Sequence, residues 1–423
     1  MRVPSFQEYR FFSTNMGQKQ ADLSKLFGQM TSGKRVEAAG DDSVAMISIH
    51  NLKQQSTLNQ QYTNMADLAL NRLAQEETYL KNGDDLVQNT REKMLGAING
   101  SVDANGLNSL AQDMQANFDA MLDLANTRDE SGNYIFGGTK TDKPPFYKDA
   151  DGNVQYRGND GQRYLQVASS IQVPISDAGS KLFQQVPNPF GDYTPDYQRT
   201  TGSDFFIEKA ENCTDSAEKY DIEFVTMDDG STGFLAKDSS GAYVPAQKRT
   251  DPNDPTSPLL PPEPQQVDMV NNQIVIDDGT GSADSQKVKI TFSGTPTVTE
   301  SGADKVSIQP EKNIDAFAAM QNAINNVKEG SNTANISVGV KQMDAISKHL
   351  NSVRGEVGTR MQAAETAKED HADNDVVVKT ALSSQEDLDY PTAALQFSMM
   401  SLAMQASQQT FVKLQGMSLF NYL

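Results

Sequence analysis

The chain lacks several features on which common classes of protein depend. It has 423 residues but one cysteine, Cys213, and no tryptophan. A single cysteine cannot form an internal disulfide framework or a cysteine-based metal cluster. No apolar run approaches the roughly 20 residues that a membrane-spanning helix needs. The polar segment after Met1 has no apolar core of a cleaved secretion signal, so we expect no ordinary leader peptide.

Positive charge is also scarce. The chain has 36 Lys and Arg residues against 56 Asp and Glu residues, which gives a net charge of -20. Nucleic acids and anionic membranes would repel so acidic a protein. We therefore expect neither as a partner, and we expect a soluble chain until a specific protein surface captures it.

Motifs for catalysis and for metal binding are missing from the sequence. His50, His349 and His371 lie far apart, and none has a second histidine four residues away. Asp149–Asn153 begins like a calcium loop, but the glycine and the glutamate that such a loop needs are absent from its sixth and twelfth positions, so we predict a tight turn. No phosphate-binding loop, nucleophile elbow or dinucleotide fingerprint is present. The sequence predicts a protein that is not an enzyme and has no cofactor or metal.

Proline is almost absent from both ends of the chain. Of the 17 prolines, 15 lie between Pro144 and Pro310, whereas 15 of the 17 methionines lie outside that region. Proline breaks helix interiors because it removes a donor and clashes with the preceding turn. The two ends are therefore free to form long helices. Since they share one composition, we predict that they pack together as a single discontinuous bundle.

A seven-residue apolar repeat supports long helices in both arms, because it keeps one seam facing a partner helix. A continuous helix over Val44–Ile98 would have 55 residues and a length of roughly 80 Å. A second helix is predicted over 107–125 by apolar residues at i, i+3 and i+4. The repeat consists of Leu52, Ala66, Leu73, Leu80, Val87 and Met94, interrupted by Asn59, and in the C-terminal arm of Ile336, Met343, Leu350, Val357 and Ala364.

The extreme ends carry apolar stripes of their own. One interpretation is that both terminal helices fold onto the chain's own bundle. The sharper interpretation is that they pair with each other and with neighbouring copies. The candidate interface residues are Met16, Leu23, Leu26, Phe27 and Met30 near the N-terminus, and Leu395, Met399, Leu402, Ala406, Phe411 and Leu414 near the C-terminus.

The middle of the chain is predicted to be β structure. A hairpin is expected at 146–156, and alternating segments at 220–225 and 288–292 are typical of half-buried strands. The predicted fold class is α+β and multidomain, with a long discontinuous helical bundle and an inserted, mainly β domain. We expect a terminal helical assembly domain (1–40 and 385–423), a helical rod domain (41–143 and 311–384) and a β-rich outer domain (144–310).

Two short segments resemble the signature turns of the bacterial flagellin superfamily. The first contains Ser32, Gly33, Lys34 and Arg35, followed by Asp41 and Asp42; the second contains Asp387, Asp389 and Tyr390. We expect Gly33 to end the first helix in the left-handed conformation. Asp41 and Asp42 should cap the long helix, and Pro391 should start the last helix.

A third segment is similar to the hook–filament junction branch of that superfamily. It is the predicted crossover from helix to β structure, and the tail at 414–420 is also similar to that branch. The crossover residues are Tyr134, Ile135, Phe136, Gly137 and Gly138.

The resemblance implies a structural role in the extracellular flagellum. A ring of copies would join the first hook-associated protein to the flagellin filament, after type III export of the unfolded chain and with a dedicated export chaperone. Three alternatives stay open. One is a flagellin subunit, which would form filaments alone. Another is a cytoplasmic coiled-coil scaffold, which would be absent from sheared flagella. The third is an extracellular adhesin or hydrolase built into the middle domain.

Overall fold

In the computed structural model, the structure describes residues 3–98, 102–199, 204–214, 217–250, 257, 259–280, 286–299, 302–330 and 332–420. Long helices occupy both ends of the chain, and strands occupy its middle. The helices are α1 (Val3–Ser32), α2 (Ser43–Ile98), α3 (Ala104–Ala125), α4 (Ala316–Lys328), α5 (Thr333–Glu386) and α6 (Tyr390–Phe420). This arrangement confirms the predicted fold class.

The strands are short at the start of the β region and longer towards its centre. A π-helical turn at Ser180–Gln184 interrupts them. In chain order they are β1 (Phe146–Lys148), β2 (Val154–Tyr156), β3 (Tyr164–Gln166), β4 (Gln172–Pro174), β5 (Val186–Pro187), β6 (Tyr193–Arg199), β7 (Phe206–Asn212), β8 (Tyr220–Thr226), β9 (Thr232–Lys237), β10 (Tyr243–Val244), β11 (Gln265–Gln266), β12 (Gln273–Asp277), β13 (Gln286–Ser293), β14 (Val298–Thr299), β15 (Gly302–Ala303), β16 (Lys305–Pro310) and β17 (Asn313–Ile314).

Helix α2 begins one residue before the predicted start and ends at the predicted residue. Its seven-residue repeat is the buried seam, with Ala66, Leu73, Leu80, Val87 and Met94 all excluded from solvent. Asn59, which interrupts the repeat, is also buried. The seam of α5 from Ile336 to Ala364 is buried in the same way. Regular spacing of apolar residues therefore determines these two helices.

Helix α4 was not predicted, and a capping residue stabilises its start. The Asp315 carboxylate accepts hydrogen bonds from the backbone N–H groups of Phe317 and Ala318. These bonds satisfy two of the donors that a helix start leaves unpaired.

Two antiparallel sheets share the core of the β region. One has the order β10-β9-β8-β16-β6, with β11 also paired to β9, and the other has the order β12-β13-β7. Strand β8 alternates as predicted, because Tyr220, Ile222 and Phe224 are buried and the residues between them are not. Their side chains form one cluster with those of β7, β12 and β13, so the two sheets close over a common core.

The predicted crossover is a tight, buried segment. Tyr134, Ile135 and Phe136 are buried, and Phe136 lies 6.0 Å from Phe183, ring centre to ring centre. An added Cβ at Gly137 would come 2.3 Å from the Lys140 carbonyl oxygen. Gly138 has a φ of +70° and comes equally close to Asn159, so only glycine fits at either position without movement.

An aromatic cluster beside the crossover joins helices to strands. Phe183 lies 5.5 Å from Phe146 and 5.4 Å from Phe317, and Phe317 lies 5.9 Å from Phe118. These residues come from α3, β1, the π-helical turn and α4. The predicted turn at 149–153 is also present, with the Asp149 carboxylate accepting from the Asp151 and Asn153 N–H groups.

The chain forms two compact units, and each is discontinuous in sequence. The first contains 1–67, 166–171 and 364–423, and the second contains 68–165 and 172–363. The three-domain boundaries expected from the sequence remain a prediction. Across the described residues, no helix combines the length and the apolar character needed to cross a membrane.

Candidate assembly site at the two ends of the chain

A turn after α1 brings the two ends of the chain together in the first unit. Gly33 has a φ of +74°, the left-handed conformation expected of a helix C-cap, and its N–H donates to the Gln29 carbonyl at 2.9 Å. The Leu388 N–H donates to the Gly33 carbonyl at 2.9 Å, and the Arg35 N–H donates to the Glu386 carbonyl at 2.7 Å. These bonds make a small antiparallel bridge between segments from opposite ends.

Glu386 carries a buried charge at the centre of this bridge. Its carboxylate accepts from the Lys34 ammonium at 2.7 Å and from the Lys53 ammonium at 2.8 Å. Burial opposes its ionisation, but these two bonds outweigh burial and lower the pKa of Glu386. Sequence reasoning missed this residue, because both of its lysine partners come from the opposite end of the chain.

The paired aspartates Asp41 and Asp42 accept hydrogen bonds in two different turns. The Asp42 carboxylate accepts from the Ala45 N–H at 3.0 Å and so caps α2, as predicted. The same prediction was wrong for Asp41, which accepts from the Glu37 and Ala38 N–H groups at 3.0 Å. A hydrogen bond from Lys25, together with these backbone donors, lowers the pKa of Asp41 to about 2. Asp41 therefore holds the link between α1 and α2.

The start of α6 lies one residue earlier than predicted. Tyr390 is its first residue and Pro391 its second. Asp389 precedes the helix, and its carboxylate accepts from the Thr392 hydroxyl at 2.6 Å. The Tyr390 hydroxyl donates to the Met30 carbonyl at 2.8 Å, which attaches this turn to the end of α1.

Helices α1 and α6 pack side by side through a narrow seam. On α1 the seam includes Leu26, which is buried, and Met16, Leu23 and Met30, which are half-buried. On α6 it includes Ala393 and Phe397, and the Phe397 ring lies 6.3 Å from that of Phe27. Phe397 was not predicted, because α6 is apolar on more than one face and its sequence alone does not show which face meets α1.

The predicted stripe of α6 lies on the opposite side of that helix and faces solvent. Leu395 is 60% exposed, Met399 is 54% exposed and Leu402 is 67% exposed. Ala406 continues the stripe, and the spacing of 4, 3 and 4 residues places all four side chains on one face. Phe411 is half-buried, and the side chain of Leu414 lies outside the described residues.

The first unit exposes further apolar residues that sequence reasoning missed. Val44 and Ile47 near the start of α2 are 78% and 65% exposed, and Val376 and Val377 on α5 are similarly open. Sequence periodicity did not single them out, because they lie outside the seven-residue repeats of α2 and α5. Among the described side chains, no cluster of His, Cys, Asp and Glu could hold a metal ion.

Models of one protein family match both helical ends of the chain. The bacterial flagellin N-terminal helical region matches residues 7–141, and the bacterial flagellin C-terminal helical region matches residues 340–423. Together the two matches cover just over half of the chain.

The chain belongs to the bacterial flagellin family.

Two curated relatives of this flagellin-family chain are both flagellar hook-associated protein 3. The protein from Escherichia coli (strain K12) is 33% identical over 186 residues, which are 44% of this chain and 58% of the relative. The protein from Salmonella typhimurium is 32% identical over 196 residues, which are 45% of this chain and 61% of the relative. The matches thus span about three fifths of each relative's length.

Solved structures share the fold over most of the chain. Flagellar hook associated protein-3 from Legionella pneumophila has a TM-score of 0.60 at 23% identity, and the match covers 79% of this chain and 98% of the other. FlgL from Xanthomonas campestris has a TM-score of 0.56 at 20% identity, covering 77% of this chain and 97% of the other. At these identities the likeness concerns the fold.

Proposed function

We propose that this chain is a structural subunit of the bacterial flagellum that joins the hook to the filament. Copies form a ring at the junction, with the first hook-associated protein on one side and flagellin on the other. The chain leaves the cell through the flagellar export apparatus with the help of an export chaperone. Both curated relatives are flagellar hook-associated protein 3, which supports the hook-associated role.

The observation that carries the proposal is the solvent-facing apolar stripe of α6. Leu395, Met399 and Leu402 are more than half exposed. Burial of each side chain would lower the free energy of the protein. Burial contributes roughly 25 cal/mol for each Å² of apolar surface. A protein keeps such a surface when a neighbour covers it in the assembled state.

The proposed mechanism is burial without a chemical reaction. The seam between α1 and α6 already pairs the two ends within one chain, and the outer stripe of α6 remains for a neighbouring subunit. Met16, Leu23, Leu26, Phe27 and Met30 accordingly set the position of α6 in the single chain. The interface residues proposed between copies are Leu395, Met399, Leu402 and Ala406, together with Phe411 and Leu414 further along the helix.

A Leu402→Asp variant tests the proposal. The new carboxylate would lie in water in the single chain, but would be buried without a partner in an assembled ring, at a cost of several kcal/mol. We expect wild-type unfolding of the purified chain, normal release into the medium, and no filaments on the hooks. Electron microscopy of a strain carrying only this variant provides the measurement.

A matched control is Gln405→Asp, which adds the same charge at an exposed position of α6 to the side of the stripe. Cells with this variant should grow filaments. A fully motile Leu402→Asp strain would contradict the role of the stripe. A Leu402→Asp chain that melts far below wild type would place Leu402 in the protein's own core and contradict the proposal in another way.

A further inference from the structure

A polar cleft lies in the second unit, between the β region and the start of α5. Its volume is about 530 Å³, and it is lined by strands β6 and β16 and helices α4 and α5. The lining residues of α5 are spaced by three and four, from Asn335 through Gly339 to Gln342, so they form one helix face. Packed strands and helices thus form most of the cleft, and Glu311 comes from the short link between β16 and β17.

Side-chain amides dominate the cleft wall, and some of them already serve the fold. Asn335 accepts from the Tyr197 N–H at 2.8 Å and donates to the Tyr197 carbonyl at 3.1 Å. This amide therefore pairs backbone groups on the free edge of β6, which is an edge strand. Pro195 lies two residues earlier on the same edge and also lines the cleft, so its carbonyl points to the same side.

Gln342 places a side-chain amide at the floor of the cleft. It is 6% exposed and lines the cleft. Within the described part of the chain, its side chain makes no hydrogen bond to protein. Its amide N–H and carbonyl groups therefore remain available to a molecule that enters the cleft.

The other groups in the cleft define what could bind. Asn322 and Asn326 on α4 and Gln309 on β16 offer further donors and acceptors, and Asp196 and Glu311 add carboxylates. The lining holds no Lys, Arg or His, so an anion has no counter-charge. It also holds no aromatic ring, and its apolar part consists of small residues and one valine. A peptide with large side chains would find no pocket.

We propose that this cleft binds a neutral, hydroxyl-rich ligand of the size of a disaccharide. Hydroxyl groups donate and accept at once, which matches amides that also do both. The carboxylates of Asp196 and Glu311 accept from ligand hydroxyls, and the Gln342 amide completes its hydrogen bonds at the cleft floor. The site belongs to the second unit, whereas the stripe of α6 belongs to the first.

The proposal is tested with the full chain and three neutral disaccharides, namely maltose, lactose and sucrose. Saturation-transfer NMR measures binding. Acetyl-tetraalanine amide represents a peptide ligand and glucose 6-phosphate represents an anionic ligand, and both are measured in the same way. We expect saturable binding of at least one disaccharide, and a loss of at least tenfold in affinity in Gln342→Leu. The matched control, Gln362→Leu, removes an exposed amide from α5 outside the cleft lining and should bind as wild type does.

A second variant keeps the test decisive if Gln342→Leu fails to fold. Asn322 is exposed, so Asn322→Ala leaves the core intact and should also weaken disaccharide binding. Absence of saturable binding by all three disaccharides would overturn the proposal, and so would equal affinity in wild type and both cleft variants. Preferential binding of the tetrapeptide would assign the cleft to peptides instead.

Discussion

At the scale of single residues, Glu76 is a carboxylic acid in the protein interior. Its side chain is fully buried on α2, and one carboxylate oxygen has no hydrogen-bond partner there. The other oxygen accepts from the Asp177 N–H at 2.8 Å. Burial, followed by the nearby Asp177 charge, raises the pKa of Glu76 to about 7. The Arg360 guanidinium donates two hydrogen bonds to the Asp177 carboxylate and neutralises its charge.

Because of Glu76, the folded state becomes less stable as pH rises from about 4.5 to about 7. The folded state holds the Glu76 proton up to a pH of about 7, whereas the unfolded chain releases it near 4.5. Its contribution to stability is therefore full below about 4.5 and is lost as pH rises towards 7. We expect Glu76→Gln to be more stable than wild type at pH 8, by on the order of 2–3 kcal/mol, and equal to wild type at pH 4.

Urea unfolding followed between pH 4 and pH 8 checks this prediction. Glu77→Gln is the control, because that neighbouring carboxylate is partly exposed and bound to Arg354. A Glu76→Gln advantage that stays constant over the pH range would show that Glu76 does not hold its proton in the folded state.

At the scale of elements, sequence periodicity predicted most of the helices but few of the pairings. The boundaries of α2 followed from a repeat that runs through the whole helix, and the β1–β2 hairpin followed from local turn chemistry. In contrast, β16 lies between β6 and β8, from which it is separated by many residues. Register between distant strands depends on packing, which no local pattern records.

In the candidate assembly site, too, local pattern predicted the turns but not the contacts between distant segments. The turn at Gly33 was predictable because a left-handed C-cap favours glycine, and Asp42 was predictable as an N-cap. The roles of Phe397 and Glu386 were not predictable, because each depends on a partner from the opposite end of the chain.

Two glycines in turns allow a matched test of the crossover. Gly132 and Gly138 both have positive φ, but an added Cβ has open space at Gly132 and lies 2.1 Å from the Asn159 carbonyl oxygen at Gly138. Gly132→Ala should cost about 1 kcal/mol through strain alone. Gly138→Ala should cost about 3 kcal/mol or more, because the backbone must also move. Equal losses in thermal unfolding would mean that the crossover adapts to the new side chain.

At the scale of the whole molecule, the division into two units predicts separable stability. Removal of 385–423 takes away α6 and the segment that pairs with Gly33 and Arg35. We expect trypsin to cleave this truncated chain rapidly at Lys25 and Lys34, because a lone helix is marginal in water. The second unit should keep its own core.

Tyrosine circular dichroism reports on that second core, since the chain has no tryptophan and Tyr193, Tyr197 and Tyr220 are buried there. The signal should survive truncation. A chain shortened only after Lys413 serves as the control and should protect Lys25 as full-length protein does. Loss of the tyrosine signal on removal of 385–423, or continued protection of Lys25, would contradict separable units.

The two halves of the bridge between the chain ends are synthesised at different times. The Arg35 guanidinium and the Gln385 carbonyl that accepts its hydrogen bond are 350 residues apart. At about 5–20 residues per second, a ribosome needs roughly 20 to 70 seconds to make the intervening chain. During that interval α1 has been synthesised and α6 has not. The apolar seam of α1 is then made without α6, so the bridge cannot close before the C-terminal segment has been synthesised.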